Sequence, residues 1–287
     1  MKKLLTLALA ILMVVSCVAT LASCSKQDLN FGKSFTPMDA QMDVLVGLNA
    51  KTIDVGVMDS VMAGYYMSQD TTYSNSLMIV EGLTLATEQY GIAARKGSGF
   101  AKLLNAALVE LAKNGTVAEI ATKYGLQNEI CIDTTLEIGG YETLTDAEKV
   151  DADYLAEQGK FIVGYTLFAP IAYKDNDGNL IGFDIDLAKA VSEFYGIAVE
   201  FKEINWATKE AELESKAIDC IWNGMTITEE RQANMAVTIP YMNNKQVAII
   251  RKEDKDLYKT TDDMKKAIIG AEDGSAGMSC VVKEEEE

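Results

Sequence analysis

The 287 residues include no histidine, so no serine or cysteine nucleophile has an imidazole base and no imidazole can hold a metal. Proton transfer would fall to carboxylates, lysine or tyrosine. This excludes most hydrolase and zinc-enzyme classes and brings a binding protein forward. Of the five cysteines, Cys131, Cys220 and Cys280 show no metal-ligand spacing, and Cys220 lies in an apolar run. They read as small hydrophobic side chains, with one disulfide open to them. No metal and no cofactor is expected. Asp and Glu number 43 against 26 Lys and Arg, a net charge of -17, which sets the chain against nucleic-acid phosphate.

Lys2 and Lys3 precede an apolar run from Leu4 to Val15, followed by Leu21, Ala22, Ser23 and Cys24. The run is shorter than the roughly 20 residues that span a bilayer, and it reads as a secretion signal. Leu-Ala-Ser-Cys is similar to a bacterial lipobox. Residues 1–23 would then be removed and Cys24 lipidated, tethering the chain outside the cytoplasmic membrane. Loss of Lys2 and Lys3 would make the remainder still more acidic.

The length allows two modest domains with real cores. Polar residues 24–35 read as a tether, and Thr36 and Pro37 as a helix start with Asp39 in its first turn. Strands are expected at 53–57, 77–80 and 90–95, and a helix from Phe100 ends at Asn114-Gly115. Thr116 and Glu119 have the spacing of a capping box for a further helix. Residues 126–159 are acidic and contain Gly139-Gly140; they read as a linker with a weak helix that Thr145 and Glu148 cap. Strands then resume at 161–165, 198–202, 218–222, 246–250 and 267–271, alternating with helices near 184–195, 207–216, Thr228 and 261–266. Such alternation predicts an α/β fold with largely parallel sheets.

Within this pattern, GFDIDLA (182–188) and GMTITEER (224–231) carry a resemblance. The stretch from Lys160 to Arg251 resembles the first lobe of the bacterial extracellular solute-binding proteins, family 3, the polar amino-acid receptors of ABC importers. The resemblance implies a two-lobed, type II periplasmic-binding-protein-like fold with a two-stranded hinge and an amino acid held in the cleft. The order of segments differs from that family. IDVGVMDSVMAGYY, YGIAARKGSGF and NAALVELAKNGTVAEIATKYG, between residues 53 and 125, resemble its C-terminal half yet come first. IIGAEDGSAGMSC at 268–280 resembles the start of its second lobe and would continue in FGKSFTPMDAQMDVLVGL at 31–48. The chain therefore reads as circularly permuted. Residues 36–88 plus 254–287 would form lobe 2, and residues 89–253, linker 126–159 included, lobe 1. Hinge strands are expected at Glu88 to Tyr90 and Ile250 to Glu253.

A free amino acid presents a carboxylate, an ammonium and one variable group. The resemblance implies that Arg231 grips the carboxylate through a planar fork, helped by Thr226 and the backbone around Thr228 at a helix start. It implies that Asp59 accepts the ammonium, although Asp59 is also placed to cap the helix after it. Asn223 and Gly224 would add acceptors, Phe168 and Trp206 would sandwich the ligand, and Ser275 would donate to the carboxylate. Trp222 would narrow the pocket. Receptors for cationic amino acids in this family resemble one another in carrying an acid at the position of Tyr165. With no spare carboxylate evident, the expected ligand is neutral, polar or moderately bulky. The implied function is an extracytoplasmic receptor that hands a free amino acid to an ABC permease. Its alternatives are a dehydratase-like enzyme on the same scaffold and a partner-dependent sensor.

Overall fold

The computed structural model describes residues 28–69 and 71–283; the secretion signal, the lipidation at Cys24 and tether residues 24–27 fall outside them. The chain enters β1 (Ser34–Met38), α1 (Gln41–Asn49), β2 (Val55–Asp59), α2 (Ser60–Gln69) and the short α3 (Thr71–Ser74). The 18-residue β3 (Leu77–Ala94) leads into α4 (Phe100–Lys113), α5 (Thr116–Tyr124) and, after an irregular stretch, α6 (Asp146–Gln158). Next come β4 (Lys160–Tyr165), the β5 (Tyr173–Lys174) and β6 (Leu180–Ile181) hairpin, α7 (Phe183–Tyr195), β7 (Ala198–Glu203) and α8 (Lys209–Glu214). β8 (Cys220–Thr226), α9 (Glu229–Asn234), β9 (Ala236–Val237), β10 (Met242–Arg251), β11 (Ile268–Glu272) and α10 (Ala276–Val281) follow.

Among the described residues one sheet runs β1-β11-β2-β10-β3-β8-β4-β7, with β9 paired to β3. The pairs β1/β11, β11/β2, β8/β4 and β4/β7 are parallel. β10 and β3 run antiparallel to their neighbours, so the sheet is mixed rather than largely parallel. The fold is α/β as expected. β2 and β8 are buried along their whole length, as strands covered on both faces must be. β3 is one strand where the sequence suggests two. Its polar middle, Glu81 to Gln89, is accompanied by β10 in a two-stranded ribbon with much of its side-chain surface exposed. A ribbon needs no apolar alternation, so the pattern reads as a break.

The ribbon carries the chain between two α/β halves. Tyr90 to Ala94 pair with β8 on one side, while β10 pairs through Gln246 to Ile250 with β2 on the other. The crossing of β10 thus precedes Gln246, which corrects the hinge strand expected at Ile250 to Glu253.

Three further expectations are corrected. Residues 28–35 do not form a tether: Asn30 N donates to Val281 O at 2.8 Å, Phe31 is buried, and β1 begins at Ser34. Thr36 and Pro37 lie in β1, not at a helix start; β1 is the edge strand of the sheet, where proline is tolerated. The Thr116 and Glu119 box does not form, since the cap position of α5 is Gly115 with φ 91°. The Thr145 and Glu148 box does form.

The stretch 126–159 is more than a linker. α6 buries Ala152 and Leu155, and its Asp151 accepts from Arg95 Nε at 2.9 Å and Ser98 Oγ at 2.6 Å. Leu155→Ala is expected to lower stability by about 2–5 kcal/mol, the range for emptying a buried leucine site. A denaturant midpoint within error of the parent chain would return α6 to the status of a tether.

Cys131, Cys220 and Cys280 are free thiols. Among the described residues no helix is long and apolar enough to cross a membrane.

Candidate functional site

β2, β4, β7, β8 and β11 all aim their carboxyl ends at one place, the usual position of a ligand crevice in an α/β sheet. A small cavity of about 20 Å³ lies there. Asp59 closes β2, Glu272 closes β11, and Asn223, Gly224 and Thr226 come from the end of β8. Phe168 and Trp206 follow β4 and β7 into the loops and line the same space, with Arg231 on α9 and Ser275 before α10. Eight of the residues expected from the sequence therefore meet around one cavity.

Arg231 is buried. Its Nη1 donates to Thr226 O at 2.7 Å and its Nη2 to Gly274 O at 3.3 Å. These contacts hold the guanidinium plane at the cavity wall. Burial pulls its pKa down from the arginine value. Lys209, also buried, donates to Trp206 O and Gly274 O, each at 3.2 Å, and lies 5.0 Å from the Trp206 ring centre. Burial first, then the neighbouring Arg231 charge, lower its pKa to about 8.

Asp59 is held from several sides. Oδ1 accepts from Tyr90 OH at 2.6 Å, from Gln246 Nε2 at 3.0 Å and from Asn244 Nδ2; Oδ2 accepts from Gln41 Nε2. Asn244 and Gln246 also donate to Glu88, at 2.5 and 2.8 Å. Burial first, and then the Glu88 charge, push the Asp59 pKa up to about 7. Glu272 is 4% exposed; burial and then the Asp59 charge push it up to about 8, against the hydrogen bond that Gln41 makes to it. One amide thus stands between two buried carboxyls.

Gly224 has φ 60°, and a Cβ there would sit 2.6 Å from the Phe168 ring, so only glycine allows both the turn and the ring. Its N–H donates to Asp184 Oδ2 at 2.8 Å, as does Tyr241 OH. The Asn223 amide and Thr166 Oγ1 lie 2.8 Å apart.

Several expected residues do something else. Tyr165 packs with Ala172 and Ile185, its ring 6.4 Å from that of Phe201, and is not on the cavity. The three-residue offset from Phe168 spans the end of β4, so the two side chains part there. Trp222 is fully buried in the core and does not narrow the cavity. Thr228 caps α9 by accepting from Arg231 N at 3.1 Å. Ser275 Oγ donates to Glu272 O at 2.7 Å and accepts from Met278 N at 3.1 Å, so its hydroxyl serves the α10 cap.

Gln41, Thr166, Leu167 and Glu272 line the cavity without having been singled out from the sequence. Glu272 corrects the statement that no spare carboxylate is evident. It stands at the end of a strand just as Asp59 does, and that placement is the signal that could have found it. Gln41 gave none, because it opens a helix expected to begin four residues earlier.

Residues 161–275 match the family model of the bacterial extracellular solute-binding proteins, family 3. The chain is 28% identical over 134 residues to the L-cystine-binding protein TcyJ of Escherichia coli (strain K12), covering 46% of this chain and 50% of the relative. It is 34% identical over 120 residues to the ABC transporter arginine-binding protein 1 of the same strain, covering 42% and 48%. A histidine-bound ABC uptake transporter substrate-binding protein from Streptococcus pneumoniae is 41% identical over 29% of this chain and 35% of that one, with a TM-score of 0.28. The chain spans about half the length of the curated relatives it matches.

Proposed function

We propose that the chain is the amino-acid receptor of an ABC importer, held outside the bacterial cytoplasmic membrane by lipid on Cys24. The observation that carries this is one cavity with a buried guanidinium, Arg231, and a buried carboxyl, Asp59, in its wall. A free amino acid needs that pair of opposite charges for its carboxylate and ammonium. Gly224 and Asn223 add acceptors, and Phe168 and Trp206 cover the ligand with apolar faces. The match of residues 161–275 to a solute-binding family supports a receptor over a catalyst.

The proposed lobes meet along the β3 and β10 ribbon. One comprises residues 90–243, the other residues 28–86 and 247–283, consistent with the strand partners of each segment. Arg231 belongs to the first and Asp59 to the second, so a ligand touching both favours the closed arrangement over the open one. A permease would read that closed shape. The circular permutation of the family order is part of the same proposal. It is supported by the register of β1 on β11, Ser34 opposite Ile268 through Met38 opposite Glu272, which brings the early and late segments into one lobe.

A thermal-shift screen of the purified chain against the common free amino acids tests the reading. A ligand at 100 times its dissociation constant stabilises the fold by about 2.7 kcal/mol, a shift of several degrees. If no amino acid moves the melting temperature at millimolar concentration, the receptor reading fails.

A further inference from the structure

We infer that Glu272 is a specificity-determining carboxylate of this cavity, and that the amino acid bound there carries a second cationic group on its side chain. The inference rests on the receptor reading above and sharpens it.

Charges in and against the cavity do not balance. Arg231 and Lys209 are its cations; Asp59, Glu272 and Glu88 are its acids, Glu88 joined to Asp59 through Asn244 and Gln246. A zwitterion leaves that count as it was, because its carboxylate answers Arg231 and its ammonium answers Asp59. Glu272 then needs a partner of its own. Lys209 lies near enough to favour the ionised form of Glu272, yet it makes no ion pair with it, its ammonium being turned to the carbonyls of Trp206 and Gly274. Glu272 is 4% exposed, and its neighbour is the Gln41 amide already bound to Asp59. An ionised carboxylate in that position, largely buried and without a direct ion-pair partner, is unfavourable.

Two species can relieve it: a proton, or a cation delivered by the ligand. A neutral amino acid leaves the proton on Glu272. An amino acid with an ammonium or guanidinium on its side chain displaces the proton and gains a buried, charge-assisted hydrogen bond. The faces of Phe168 and Trp206 suit such a side chain, since aromatic rings attract cations. Discrimination against a neutral analogue follows because that analogue cannot ionise Glu272.

Isothermal titration of the purified full chain with arginine against citrulline, and with lysine against norleucine, separates these cases. At least one cationic member is expected to bind tenfold or more tightly than its neutral analogue. Titrations in buffers of different ionisation enthalpy are expected to show more protons released on binding the cationic member than on binding its neutral analogue, since both ionise Asp59 and only the cationic member ionises Glu272. Glu272→Gln should bring the preference for the cationic member over its neutral analogue below threefold. If the parent chain binds both neutral analogues as tightly as their cationic partners, or Glu272→Gln keeps the preference, the assignment of Glu272 is overturned. The first of these outcomes needs no variant to fold. If the chain binds other free amino acids in the screen but none of these four, the cationic assignment fails and the receptor reading stands. If it binds no amino acid at all, the receptor reading itself falls.

Discussion

Asp59→Asn is expected to weaken amino-acid binding by at least about 30-fold, because removing one member of a buried, hydrogen-bonded charge pair costs 2–5 kcal/mol. Oδ1 of Asp59 accepts from Tyr90, Gln246 and Asn244, while Oδ2 accepts from Gln41, which itself lines the cavity. Among the described residues, Oδ2 is the less engaged oxygen and the natural acceptor for an ammonium. An amide at this position keeps the shape and loses the charge. The same carboxyl has a second, opposite consequence for the empty protein. Burial raises Asp59 to about 7, Asp184 to about 7 and Glu272 to about 8.

The unfolded chain releases these protons near pH 4, so between pH 4 and 8 the folded state holds protons that the unfolded state has lost. Stability of the ligand-free protein must then fall as pH rises through that window, by up to about 1.4 kcal/mol per pH unit for each group. Ligand affinity runs the other way. An ammonium binds the ionised carboxylate, so affinity rises from pH 6 to 8. Asp59→Asn should flatten the stability slope between pH 5 and 7 as well as depress affinity. Urea titrations at several pH values, paired with calorimetric binding, report both. Equal slopes for parent and variant would show that Asp59 is ionised throughout and that burial does not govern it.

Arg231→Ala is expected to cost a comparable factor through the ligand's other end. The guanidinium is held by Thr226 O and Gly274 O and has no carboxylate partner closer than the ion-pair range among the described residues. It is poised for an anion with two oxygens. Arg231→Lys keeps the charge and loses the fork, so it should recover only part of the affinity. A ligand whose carboxylate is replaced by a carboxamide supplies the control. It should bind parent and Arg231→Ala almost equally, since the interaction under test is then absent from both. If Arg231→Ala stays within a factor of two of the parent for the free amino acid, the carboxylate grip is wrong.

Much of this site was legible in residue order. Arg231 and Thr226 stand within one short motif, and Asp59 follows an apolar strand, so the elements that present them could be placed directly. Phe168 and Trp206 lie on loops that follow β4 and β7, and both reach the cavity. Tyr165 misled because distance along a strand does not reveal which face the last side chain takes. Ser275 lines the cavity, yet its hydroxyl is spent on α10, a detail of hydrogen bonding that spacing does not encode. α6 was undervalued because an acidic surface hides how few apolar residues suffice to dock a helix, here Ala152 and Leu155.

The family resemblance singled out Asp59 and Arg231, which line one cavity; the sequence by itself determined the α/β class and the alternation of strands and helices. Local pattern carries these, since burial on one face and turn chemistry are properties of neighbours in the chain. Tertiary structure alone decided that β1 lies on β11, that β10 and β3 form the ribbon between the halves, and that Glu272 stands beside Asp59 with Gln41 between them. Residues 41, 59 and 272 meet only when strands distant in the chain lie side by side, and no local pattern records a contact of that range.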